Sequence, residues 1–82
     1  MRFTVTWDKL ALAQLARLWM DSDHRDSIQQ SADELDRGLA DDPQDKGALL
    51  FGHRIWVSSR LAVAFEVNFD DRLVRVFDVW ER

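Results

Sequence analysis

The spacing of apolar residues along this chain changes period twice. From Arg2 to Trp7 it alternates, with Phe3, Val5 and Trp7 on one side, which predicts a half-buried strand. Asp8 follows, where it can cap a helix. Between Lys9 and Met20 there is neither Gly nor Pro, and Leu12, Leu15, Leu18 and Trp19 fall on one side of that helix. Ser22 and Asp23 signal a second cap, and Asp26 sits in the first turn, where the helix dipole favours an anion. Ile28, Ala32, Leu35 and Leu39 then recur at spacings of 4, 3 and 4, an amphipathic helix from Asp26 to Leu39. Gly38, Asp41, Asp42 and Pro43 supply its stop signals. Beyond Gly47 the period returns to two. Leu49, Phe51, Ile55 and Val57 mark a second strand, broken by His53. Leu61, Val63, Phe65, Val67 and Phe69 mark a third, and Leu73 to Trp80 a fourth, with a turn signal at Asp70-Asp71 between them.

Counting reversals makes the fourth predicted strand antiparallel to the first. The expected fold is α+β: a single two-layer β-α-α-β-β-β domain over residues 1–82. Its antiparallel four-stranded sheet takes the order 1-4-3-2, with the helical hairpin on one face and the other face open. A two-residue loop at Asp70-Asp71 turns the pairs Val67–Val74 and Phe65–Val76 inward. It sets Glu66 opposite Arg75, and Ala64 opposite Phe77, on the open face. A bulge near Phe77 or Asp78 is needed to turn Val79 inward. A three-residue turn over Ser58, Ser59 and Arg60 pairs Val57 with Leu61 and Ile55 with Val63 in the core. It sends Arg54 and Trp56 to the open face. That face then holds Arg54, Glu66 and Arg75 beside Trp56 and Phe77, which lean over Ala62 and Ala64.

Eighty-two residues suffice for one small core, and a composition 46% hydrophobic with four Trp is that of a globular chain. No run of 18 apolar residues exists, so no transmembrane helix is expected. The opening segment has no apolar core of a signal peptide. There is no cysteine, which removes disulfides, CxxC metal sites and thiol nucleophiles and fits a reducing cytoplasm. His24 and His53 lie on different elements without ligand spacing, so neither a metal nor another cofactor is expected. The net charge of −4 is unevenly placed. Residues 21–51 hold nine acids and three bases, whereas residues 52–64 hold Arg54 and Arg60 and no acid. Such a domain does not bind a phosphate backbone through bulk electrostatics; any such contact would be local to the second hairpin.

Strand, helical hairpin and meander in this length resemble the RelE/ParE superfamily of bacterial type II toxins, the plasmid-stabilisation-like group. Thr4-Val5-Thr6-Trp7-Asp8 resembles its opening strand and helix junction, and Leu15-Ala16-Arg17-Leu18-Trp19 its first helix. Leu39-Ala40-Asp41-Asp42-Pro43 resembles the exit of its second helix, Leu61 to Val67 its Y-R-V-x-Y-x-V strand, and Val74 to Val79 its last strand. The resemblance implies a toxin component, or a degenerate relative of one, neutralised by a cognate antitoxin. Two activities accompany it: ribosome-dependent cleavage of mRNA, and poisoning of DNA gyrase without enzymatic chemistry. The family's Tyr-Arg pair is Leu61-Ala62 here, and its basic tail is cut short at Trp80-Glu81-Arg82.

RNA cleavage requires a base for the 2′-hydroxyl, an acid for the leaving oxygen and cations for the phosphate. Glu66 or His53 can be the base and Arg54, Arg60 and Arg82 the cations, but no general acid is left over. The plainer alternatives are an ion pair of Glu66 with Arg75 and Arg54, a solvated Arg60, and a semi-buried packing role for His53. A binding module remains the other reading. For it, Trp56, Phe77, Trp80 and Arg75 form the partner surface, and the edge from Leu49 to Val57 is open to an antitoxin tail or a second copy of the chain. The acidic run on the second helix offers a surface for a basic partner.

Overall fold

In the computed structural model, residues 2–41, 43, 46–50 and 53–81 are described, the Leu50 side chain excepted. Strand β1 (Thr4–Trp7) leads into helix α1 (Lys9–Asp21) and helix α2 (Arg25–Asp41). Strands β2 (Ala48–Leu50), β3 (His53–Val57), β4 (Leu61–Asn68) and β5 (Leu73–Glu81) follow. The Asp8 side chain does not cap α1; its carboxylate turns to Arg75 instead. At the next junction the Ser22 hydroxyl accepts from the His24 backbone N–H at 2.9 Å, and Asp26 occupies the first turn of α2 as its charge favours. α2 buries Ile28, Ser31, Ala32, Leu35 and Leu39, the predicted stripe plus one hydroxyl.

The two layers are as expected, but the sheet is not. It has five strands in the order β1-β5-β4-β3-β2. The stretch read as one second strand is two, paired antiparallel with Leu50 opposite His53. That extra reversal flips every later strand direction, so β5 runs parallel to β1, with Val5 beside Val74 and Trp7 beside Val76. The expected antiparallel closure is therefore corrected to a mixed sheet. The exposed edge shortens to Ala48–Leu50, because β3 is paired on both sides.

The last hairpin follows its expected register: Val67 opposite Val74, Glu66 opposite Arg75, Phe65 opposite Val76. A bulge shifts the ladder between Ala64 and Phe65, so Asp78 rather than Phe77 pairs with Ala64 and Val79 turns inward, 3% exposed. The ladder closes at Asn68–Leu73, and Arg72 takes a φ of 53° in the turn. Leu61, Val63, Phe65, Val74 and Val76 are wholly buried beneath the helices.

The middle hairpin is one residue out of the expected register. Val57 pairs with Ala62, Trp56 with Val63 and Arg54 with Phe65, closed by a bond from the Ser58 N–H to the Leu61 carbonyl. Trp56 therefore projects to the helix side, and Ile55 and Val57 to the open side. The reason lies in α2. Gly38, read as a helix stop, is inside the helix, and the Trp56 ring lies against it; a Cβ there would be 2.2 Å from Trp56 Cη2. Burying an indole in that slot gains more apolar area than burying Val57, which is left 45% exposed. Gly47, at φ +73°, is needed for a second close approach, since a Cβ there would meet the Ile55 carbonyl oxygen at 2.5 Å.

Candidate functional site

The sheet face away from the helices is built by β3, β4 and β5. Ala62 and Ala64 point to it yet are 1% and 4% exposed, so larger neighbours close over them. Trp80, opposite Ala62, is 39% exposed. Phe77, released by the bulge, is half-buried and meets the His53 ring edge-on at 5.0 Å between centroids. Small residues flanked by rings make an apolar patch, with Val57 on its β3 side and Asp78, opposite Ala64, within it.

One end of this patch holds a cluster of ion pairs. The Arg75 guanidinium bonds Glu66 Oε2 at 2.8 Å through Nη2 and Asp8 through Nη1. Its carbon lies 5.3 Å from the Phe77 ring centroid, a cation–π distance. The hydrogen bond it donates to Glu66, followed by the charges of Asp8 and Glu66, holds the Arg75 pKa above its ordinary value against some desolvation. Arg75 is thus a fixed cation, tying the β1–α1 junction to the middle of the sheet.

The predicted site residues do not all meet. Glu66, Arg75, Phe77 and Trp80 share the open face. Arg54 is on the helix side of β3, where its Nη1 reaches the Lys46 carbonyl at 3.4 Å. Arg60 is in the β3–β4 turn, and its backbone N–H donates to Ser31 Oγ at 3.2 Å. Arg82 lies outside the described residues. Trp56, expected at the centre of the open face, packs under α2, with the Lys46 ammonium 5.9 Å from its ring. His53 is exposed rather than semi-buried. The expected Arg54–Glu66–Arg75 cluster is accordingly an Asp8–Arg75–Glu66 cluster. Asp8 was missed because its position before a helix reads as a cap; nothing nearby in the chain marks its partner 67 residues on.

Two hollows lie elsewhere on the chain and differ in kind. The larger, about 570 Å³, is walled among the described residues by the polar turn Ser22 to Ser27. The other, about 430 Å³, is an apolar groove along the seam of α1 and α2. Among the described residues no cluster of three metal-ligating side chains occurs, and no helix is long and apolar enough to cross a membrane.

No protein-family profile and no curated protein matches the sequence. Among solved structures, the chain is similar to a chain of the RelBE2 toxin–antitoxin complex from Mycobacterium tuberculosis. The match has a TM-score of 0.82 at 16% identity and covers 100% of both chains. At that identity the likeness is one of fold, the two-layer arrangement described above.

Proposed function

We propose that this chain is a toxin-type component of a two-protein toxin–antitoxin pair, neutralised by an antitoxin that covers the open face around Phe77 and Trp80. The observation that supports it is the end-to-end fold correspondence with a chain of a toxin–antitoxin complex. The open face fits the role, since exposed aromatic surface beside a charged cluster suits an extended or helical partner segment. Work in a reducing cytoplasm agrees with a chain free of cysteine.

Binding, to gyrase or another protein target, is favoured over RNA cleavage as the mode of action. Glu66 is engaged by Arg75, Arg54, one of the expected phosphate-binding arginines, lies on the other face of the sheet, and Ala62 stands where the resemblance places an arginine. The mRNA interferase reading retains one supporting feature: Glu66, Arg75 and the Phe77 ring together offer a carboxylate, a cation and a stacking surface.

Expression of the chain alone in a bacterium tests the proposal. Growth arrest relieved by its partner is the expected result, and unimpaired growth at high expression would overturn it. An SOS response during arrest supports the gyrase mode. Cleaved mRNA, abolished by Glu66→Gln, would replace it with the interferase mode.

A further inference from the structure

The helix α1 carries two apolar stripes, and the sheet covers only one. Ala11, Leu15 and Leu18 pack into the core. Leu12, Ala16, Trp19 and Met20 form a second row along the groove, joined from α2 by Ala32. Leu12, Trp19 and Met20 are 52%, 40% and 61% exposed. The row runs for about 12 Å at 1.5 Å per residue, a little over two helical turns. One wall is held in place: Arg25 donates to the carbonyls of Trp19 and Met20, both at 3.2 Å, and its guanidinium stacks 4.8 Å from the Trp19 ring. Towards Trp7 the groove continues past Leu12 and Leu15 onto Asp33 and Asp36. These carboxylates accept hydrogen bonds from the neutral groups of Gln29 and Trp7, and neither is in an ion pair among the described residues. The turn at the opposite end adds Asp21, Asp23 and Asp26, where the cation of Arg25 is spent on α1 carbonyls.

We infer that the α1–α2 groove is a docking site for an amphipathic helix of another protein whose apolar stripe is flanked by Lys or Arg. The stripe replaces water over Leu12, Trp19 and Met20, and the flanking cations face acids at both ends of the groove. The charge decides between occupants. A second copy related by two-fold symmetry would bring acidic α2 rims together, and like charges across an interface oppose association. A basic helix gains from the same rims, and gains more at low salt. The groove lies on the helical layer, away from the open sheet face, so the inference stands whether or not the proposed function does.

The probe is a displayed library of 14-residue helical peptides with a fixed Leu stripe at i, i+3, i+7 and i+10 and randomised flanks, selected on the full chain. Enriched peptides should carry basic flanks. They should bind at least tenfold more weakly to Leu12→Glu/Met20→Glu, whose sites are exposed enough to leave folding intact, and several-fold more weakly to Asp33→Asn/Asp36→Asn. Circular dichroism of each variant confirms its fold. Enrichment without a charge bias, an acidic bias, equal binding to the Leu12→Glu/Met20→Glu variant, or no groove-dependent binder would each overturn the inference. So would sedimentation showing a dimer that Met20→Glu dissolves, which would assign the groove to a second copy.

Discussion

Replacing Gly38 by Ala should lower stability, although the substitution ordinarily strengthens a helix. Ala is favoured over Gly in a helix interior by about 1 kcal/mol. Here the added methyl would stand 2.2 Å from Trp56 Cη2 and 2.6 Å from Cζ3, whereas carbon atoms in contact sit about 3.5 Å apart. The indole would have to withdraw by over an ångström, lifting off Val63 and the lower part of α2. Overpacking of this kind costs about 1–3 kcal/mol. The difference leaves Gly38→Ala destabilised by about 1 kcal/mol, a melting temperature lower by about 4–8 °C for a domain of this size. Trp56→Leu removes the two ring atoms concerned, and on that background Gly38→Ala should stabilise by about 1 kcal/mol. The sign therefore inverts, with a coupling of about 2 kcal/mol, well beyond the few tenths found for independent sites. Urea denaturation of the four proteins, with equal m-values as the control, measures it. If Gly38→Ala raises stability equally in both backgrounds, Trp56 does not occupy the slot and the register of β3 on β4 given above is wrong.

Ser31→Ala should destabilise by about 1–2 kcal/mol in the same assay, because the buried hydroxyl serves both Ser59 Oγ and the Arg60 N–H. Phe65→Ala, at a fully buried ring in the central strand, should cost about 3–5 kcal/mol and leave the chain close to unfolding at 37 °C. Trp80→Ala should fold normally, with an unchanged circular dichroism melt, yet bind the proposed antitoxin at least tenfold more weakly, as expected for an aromatic anchor; unchanged affinity by calorimetry would move that interface off the open face. Leu49→Lys, on the short edge strand and 73% exposed, should leave the melting temperature within error and slow aggregation on heating, read by light scattering.

The two layers, both helices, the β4–β5 register and its bulge were legible in the sequence because each rests on periodicity within a single segment or on the turn beside it. What was not legible depends on residues far apart. A period of two runs from Leu49 to Val57 without changing step, so the reversal between Leu50 and His53 left no phase mark, and the direction of β5 followed wrongly. On β3 the choice between burying Trp56 or Ile55 and Val57 is made by Gly38, on another element, and a local reading saw only the burden of an inward Arg54. For the candidate site this meant that Phe77, Trp80, Glu66 and Arg75 were placed together correctly, while Arg54 and Trp56 were sent to the wrong face. α1 was read as one broad stripe because Leu12 and Leu15 are equally apolar; only the sheet's position separates the row it buries from the row it leaves in water.

The parallel pairing of β1 with β5 also dictates when this protein can fold. Thr4 to Trp7 find their hydrogen-bonding neighbour in Leu73 to Val76, so β1 waits during synthesis for β5. α1 is in the same position, since the sheet surface it covers includes β5; the Gln14 side chain, for example, accepts from the Val79 N–H. Until those residues emerge, the nascent chain can hold a helical hairpin and a meander but no closed core. Contacts so distant in sequence slow folding through the entropy of closing the loop between them. A ribosome stalled before Leu73 would therefore present a protease-sensitive chain without a closed core, and the folded surface would come into being only once Leu73 to Glu81 have emerged.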